Sequence, residues 1–203
     1  MTGHLLFVTH SEVVIDPDQP IPDWPLSDVG RERMVQFAEV LATGDMPVAS
    51  VWSSDERKAR DSAEIIAARL GLEPRIEHGL HENDRSATGY IAPPEFWEVV
   101  AQFFGRPDES VRGWETARAA QARIVQSVEQ VLAAETAPGL IVVVSHGGVG
   151  QLLTAHLQGV EIGQEDRPGN PGGGCWIAIG RQDLRLAGAW QDIEAYEPVS
   201  SPP

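Results

Sequence analysis

Two unbroken apolar runs, Leu5–Leu6–Phe7–Val8 and Leu140–Val144, constrain this chain most. Each is too short for a helix and too continuous for a strand with one wet face, so each reads as a strand covered on both sides. Such strands need helices above and below, and the intervening sequence supplies them. Met34, Phe37, Ala38 and Leu41 recur at spacings of three and four, as do Ala59, Ala63, Ile66 and Leu70, with Gly71 as a stop. Pro93–Phe104, carrying Phe96, Trp97, Val100 and Phe104, predicts a shorter helix. Trp114 to Glu135 predicts a long one with Ala117, Gln121, Ile124, Val128 and Val131 along a stripe, and Val149 to Leu157 a last one. Val48–Trp52 is a further strand, and residues 176–179 and 184–190 read as two closing strands. Ser53 or Ser54 is placed to cap the helix after Trp52, with Asp55 and Glu56 in its first turn. The Pro- and Asp-rich stretch Asp16–Asp28 reads as a loop. Strand and helix alternating this way predict an α/β sandwich around a largely parallel sheet.

The 203 residues suffice for one well-buried core, so residues 1–196 read as a single domain and Glu197–Pro203, rich in Pro and Ser, as a frayed tail. Fifteen basic against thirty acidic side chains give a formal charge of −15. A duplex-binding surface needs a basic stripe, so nucleic acid and anionic membrane are excluded as expected partners. The lone Cys175 cannot form an intrachain disulfide, no apolar run is long enough to span a bilayer, and Met1–His10 lacks the basic start of a signal peptide. These features together predict a cytoplasmic protein.

In parallel sheets, ligands bind beyond the carboxyl ends of the strands. His10 follows the run ending at Val8 by two residues, and His146 follows Val144 by two. Two distant segments thereby place an imidazole at a strand end. A lone turn histidine is usually just polar; a pair at this location suggests a nucleophile, because neutral imidazole attacks electrophiles. Ser145–His146–Gly147–Gly148–Val149–Gly150 also lets an anion approach a helix start. The rival reading, half a dinucleotide fingerprint at Gly148-x-Gly150, fails where Leu153 replaces its third glycine. The segment Ser53–Ala63 brings Arg57 and Lys58 to a strand end, where they either grip an anion or form a solvated face. Glu82, in Leu80–His81–Glu82–Asn83–Asp84–Arg85, could serve as a general acid in a partly dry cleft. His78-x-x-His81 has metal-ligand spacing but no supporting cluster, so no metal and no cofactor are expected. Gly169–Gly174 lacks a Gly-Lys-Ser/Thr element and reads as a turn into a strand. Trp97, Trp114 and Trp176 are expected in the core or along a cleft.

Taken in order, these segments resemble the histidine phosphatase superfamily in its phosphoglycerate mutase-like branch. That family opens with Arg-His-Gly, here Thr9–His10–Ser11. Its Trp-Pro-Leu-Thr-x-x-Gly stretch is matched by Trp24–Gly30, its Ser-Ser-Pro-x-x-Arg-Ala-x-x-Thr-Ala segment by Ser53–Ala63, its Leu-x-Glu acid motif by Leu80–Glu82, and its Ser-His-Gly-Gly by Ser145–Gly148. The resemblance covers Leu5 to Leu157 and implies a three-layer α/β/α sandwich of the phosphoglycerate mutase-like type, with a specificity-setting cap over residues 84–113.

The resemblance also implies metal-independent hydrolysis of a small phosphorylated substrate, by a phosphomonoesterase of the histidine acid phosphatase type. His10 takes up the phosphoryl group, Glu82 acts as acid and then base, and His146 and Lys58 stabilise the equatorial oxygens. Thr9, Ser11, Arg57, Arg85 and Gly147 are the expected substrate contacts. Mutase activity would need a second phosphate site, to which nothing in the sequence points. The family's two pocket arginines stand as Thr9 and Lys58 here. Each lost guanidinium contact costs about 1.5–3 kcal/mol, or roughly tenfold to a few hundredfold in rate, so turnover is expected to be slow. Arg85 is the expected replacement cation. The alternative is a binding or regulatory domain that keeps the fold and has lost the chemistry. A homodimer is left open.

Overall fold

The computed structural model describes residues 3–163, 168–170 and 172–198; residues 199–203 of the expected frayed tail and one residue of the Gly169–Gly174 turn lie outside them. Six strands form one sheet in the order β3-β2-β4-β1-β5-β6: β1 His4–Thr9, β2 Val48–Ser53, β3 Arg75–Ile76, β4 Leu140–Ser145, β5 Cys175–Gly180 and β6 Gln191–Asp192. The four strands from β3 to β1 run parallel, while β5 and β6 pair antiparallel to close the edge. Five helices cover the sheet: α1 Asp28–Leu41, α2 Arg57–Leu70, α3 Glu95–Gly105, α4 Ala117–Ala134 and α5 Gly147–Gln158.

The period-2 geometry of a strand explains the two layers of core. Leu6 and Val8 of β1 point to one face, where they pack with Met34, Phe37 and Leu41 of α1 and Ala59, Ala63 and Ile66 of α2. Leu5 and Phe7 point to the other, against Ile124, Val128 and Val131 of α4, Leu152 and Leu153 of α5 and Phe103 of α3. Strands β1 and β4 are therefore apolar along Leu5–Val8 and Leu140–Val144, because both their faces are covered there. Gly71, at φ 70°, ends α2 in the left-handed conformation expected of a glycine stop.

Two expectations are corrected. Neither Ser53 nor Ser54 caps α2: Glu56 is the residue before its first turn, without a side-chain cap, and Ser54 turns inward to a histidine instead. Residues 184–190 form no strand beyond a single bridge between Leu186 and Ile179; the closing partner of β5 is the short β6, and Leu184 adopts a positive φ that a regular strand cannot contain. No helix among the described residues is long and apolar enough to cross a membrane.

Candidate active site

Strands β1 and β4 are neighbours in parallel register, with Thr9 beside Ser145, and the His10 amide donates to the Ser145 carbonyl at 3.0 Å. The chain leaves β1 for α1 on one face of the sheet and leaves β4 for α5 on the other. Adjacent strands whose helices depart to opposite faces open a crevice at their carboxyl ends. His10 and His146 stand there with ring centroids 5.1 Å apart in an edge-on arrangement.

Each imidazole is oriented by its neighbours. His10 Nδ1 lies 2.8 Å from the Ser11 carbonyl, an acceptor only, so Nδ1 carries the proton and Nε2 keeps its lone pair. Burial, and then the positive charge of Lys58, push the His10 pKa down to about 4. His146 is fully buried, and burial pulls its pKa well below the ordinary value, although the Glu56 carboxylate opposes this. His146 Nε2 is 2.8 Å from Ser54 Oγ and 3.5 Å from Glu56 Oε1, while Nδ1 has no hydrogen-bond partner among the described residues.

Glu56 is the site residue that the sequence pattern hides. It is buried behind the histidines, where its Oε2 accepts from Lys58 Nζ and its Oε1 accepts from the Glu82 amide at 2.8 Å. Burial alone would raise its pKa, but His146 and the Lys58 ammonium outweigh burial and hold the carboxyl well below the usual carboxylate range. At the sequence level Glu56 is a helix-start acid, and its one signal is that it stands two residues from a lysine at a strand end.

The open cleft is lined by Thr9, His10, Ser11, Glu82, Arg85 and Gly147 among the expected residues. His146 and Lys58 lie behind this wall rather than in it. Lys58 is corrected as a free cation: its Nζ is spent on Glu56 and on the Ile21 carbonyl, 3.1 Å away. Arg57 is exposed and outside the cleft, because it sits on the outer side of the first turn of α2 while Lys58 faces in. Arg85 does reach the cleft, with its guanidinium 5.4 Å from the Phe96 ring and 5.7 Å from the Trp114 ring. Thr9 is buried and its Oγ1 accepts the Cys175 amide at 2.9 Å, so its hydroxyl ties β1 to β5. Ser11 Oγ donates to Glu12 and receives from Arg33, which also pairs with Glu194.

Glu82 accepts from the amides of Gly148 and Val149, both at 3.0 Å, and from the Asn83 amide. Its carboxylate thus occupies the positive end of α5 and engages the Gly148 amide. A Cβ on Gly148 would stand 2.7 Å from Glu82 Oε1, which explains the small residue there. Arg123 of α4 holds this segment by donating to the carbonyls of Gly79, His81 and Glu82 while pairing with Glu115. Nothing in its spacing marked Arg123 for this work. His78 and His81 do not form a pair of ligands: His78 bonds Asp55, and His81 Nδ1 faces the Glu82 carbonyl. Among the described residues no group of three or more His, Cys, Asp or Glu side chains is placed to hold a metal ion. Residues 84–113 contribute α3, whose Phe96, Trp97 and Val100 line the cleft. Trp114 is buried and lines it as well, and Trp176 packs edge-on against Tyr196.

The fold is a mixed α/β sheet of the phosphoglycerate mutase-like type, with two imidazoles paired at its switch point. The chain belongs to the histidine phosphatase superfamily (branch 1), whose family model matches residues 5–188. Members of this superfamily hydrolyse phosphomonoesters of small phosphorylated metabolites, and the chain is an enzyme of this phosphatase class. A glucosyl-3-phosphoglycerate phosphatase of Mycolicibacterium vanbaalenii is 30% identical over 167 residues, covering 77% of this chain and 73% of that protein. The enzyme of the same name from Mycobacterium tuberculosis is 27% identical over 191 residues, covering 87% and 80%. Among solved structures, a mycobacterial glucosyl-3-phosphoglycerate phosphatase with inorganic phosphate superposes with a TM-score of 0.75 at 24% identity, over 96% of this chain and all of that one. Bacillus stearothermophilus YhfR gives 0.74 at 18%, over 91% and 94%, and shares the fold.

Proposed function

We propose that this chain hydrolyses a phosphomonoester by way of a phosphohistidine on His10. The observation that carries the reading is the fixed tautomer: Nδ1–H is committed to the Ser11 carbonyl, so Nε2 holds its lone pair beside the cleft. Nε2 attacks phosphorus, the P–O bond to the alcohol breaks, and Glu82 gives the departing alkoxide its proton. Water then loses a proton to the Glu82 carboxylate and attacks the phosphorus, the P–N bond breaks, and free imidazole and inorganic phosphate result. Arg85 and the Gly147 amide contact the phosphoryl oxygens. His146 Nδ1, at present without a partner, meets the group once it stands on His10.

Lys58 acts here at a distance. With Glu56 beside it, the pair adds little net charge, and the phosphoryl group depends on Arg85. Slow turnover follows from that. The same observation favours a second reading, a phosphate-binding domain without turnover, because neither Thr9 nor Lys58 offers the cleft a free guanidinium.

One experiment separates the two. The protein is incubated with a panel of phosphomonoesters and with an activated phosphodonor, and phosphate release and acid-labile phosphate on the protein are both measured. The hydrolase reading requires release and labelling that vanish in His10→Ala. Equal inertness of wild type and His10→Ala, with no labelling, would leave the binding domain.

A further inference from the structure

Glu82 hangs between two supports. Its carboxylate accepts from the amides of Gly148 and Val149 at the start of α5, and its backbone is gripped from α4 by Arg123. Arg123 Nη1 donates to the carbonyls of Gly79 and His81, both at 2.8 Å, and Nη2 donates to the Glu82 carbonyl at 3.3 Å. Glu115 squares up the guanidinium, its two oxygens accepting from Nε at 3.0 Å and from Nη2 at 2.6 Å. Glu115 also accepts from the Asp84 amide at 3.2 Å, while its own amide donates to the Asp84 carbonyl at 3.0 Å. One Arg–Glu fork therefore holds the chain at Gly79, His81, Glu82 and Asp84, on both sides of the acid. Leu80, inside this grip, is buried, and its carbonyl accepts from Ser145 Oγ of β4 at 2.7 Å.

The two supports do different work. The α5 amides hold Glu82 as an acceptor. To protonate a departing alkoxide, one carboxyl oxygen must carry a proton, leave its amide and turn toward the cleft. At that moment the backbone sets where the acid stands, and Arg123 sets the backbone. A general acid works only within hydrogen-bond reach of the leaving oxygen, so a displacement of about 1 Å is costly. Serving three carbonyls and a carboxylate at once takes the planar, five-donor fork of an arginine, which a lysine cannot reproduce. Glu115 offsets the charge of Arg123, so what the pair contributes at Glu82 is geometry.

We infer that Arg123, locked by Glu115, is a positioning residue for the proton-donating step: it fixes the turn Gly79–Asp84 so that Glu82 meets the oxygen of the leaving alcohol. This rests on the hydrolase reading above. It assigns to α4, outside the cleft, a part in proton donation that is separate from the grip on phosphate.

The test uses two esters that both carry an aromatic ring but differ in their need for a proton. 2,4-Dinitrophenyl phosphate loses a stable phenolate without help, whereas the alkoxide of 2-phenylethyl phosphate must be protonated as it departs. The readout is kcat/KM, which covers the steps up to departure of the alcohol and leaves out the later hydrolysis of the phosphohistidine. Arg123→Met should lower kcat/KM for the phenylethyl ester ~100-fold, the low end of what acid–base catalysis supplies, and for the dinitrophenyl ester less than ~3-fold. Arg123→Lys keeps the charge without the fork and should lose ~10-fold on the phenylethyl ester alone; it carries the test where the Met variant fails to fold. Glu82→Gln should show the same selectivity at least as strongly. Equal losses on both esters would make Arg123 a support of the fold only, and that result, unchanged rates, or a wild-type ratio in Glu82→Gln overturns the inference and keeps the hydrolase. A wild-type protein that hydrolyses the dinitrophenyl ester alone has no working acid, which overturns the inference and keeps His10 as nucleophile. A wild-type protein inert on both esters overturns the hydrolase reading and this inference with it.

Discussion

The sharpest consequence of the buried charges concerns Glu56. Its side chain is 8% exposed and that of its partner Lys58 is 4% exposed, so the pair is shielded from water. Apart from Glu56, the Lys58 ammonium has, among the described residues, the Ile21 carbonyl as its partner. Glu56→Gln keeps the shape and still offers an amide oxygen to the Glu82 N–H, but it removes the charge. An ammonium left buried without its counter-ion costs ~3–5 kcal/mol. Adding Lys58→Met removes the orphan, so Glu56→Gln/Lys58→Met should recover most of that loss, giving a coupling energy of ~2–3 kcal/mol. Urea unfolding of wild type, both single variants and the double variant measures the cycle by linear extrapolation. The single variant should also bind inorganic phosphate more tightly, because Lys58 then projects an uncompensated charge toward His10. A Glu56→Gln protein within ~1 kcal/mol of wild type would refute the reasoning, since surface pairs are worth no more than that.

Three further outcomes follow from single contacts. The His10 ring should titrate near pH 4 by NMR rather than at 6.5, with the resonance assigned by its loss in His10→Asn; since the folded pKa is the lower one, His10 contributes stability above pH 6.5 that is lost as pH falls toward 4, by about 3 kcal/mol at 1.36 kcal/mol per unit. A midpoint above 6 would contradict the dry environment. Thr9→Val should cost ~1–3 kcal/mol in thermal or urea unfolding, because the Cys175 amide loses its buried acceptor while the packing volume is kept; no change would mean that water replaces the hydroxyl. Gly148→Ala should lower kcat by displacing Glu82 from the start of α5, where the new methyl would stand 2.7 Å from its carboxylate oxygen, and wild-type rates in that variant would show that Glu82 moves freely.

The parts of the fold that were legible follow from short-range rules. Continuous apolar runs gave β1 and β4, because both faces of those strands are buried and no polar position interrupts them. Spacings of three and four gave α1, α2 and α4, whose inner stripes reach the sheet. Residues 184–190 misled because their apolar members pack against the core from an irregular segment, as Leu184, Leu186 and Trp190 do, without strand geometry. Ser54 misled for a different reason: a serine at a strand end has two uses, and a buried imidazole across the sheet, 92 positions away, takes its hydroxyl from the helix.

The site was legible only where a side chain's identity is tied to its chain position. His10 and His146 are placed by the ends of adjacent strands, so chain position alone brings their rings together, whereas the turn that carries Glu82 is held by Arg123, which no sequence pattern marked. The charge balance is a different kind of quantity. Arg57 and Lys58 are neighbours in sequence, yet the helix turns one into water and the other into the cluster beneath the histidines. Counting cations in Ser53–Ala63 therefore overstates what the cleft can use, because Glu56 cancels the one that points inward. The paired imidazoles stand at the head of the cleft, and Arg85 is the one fixed positive charge among the described residues that line it.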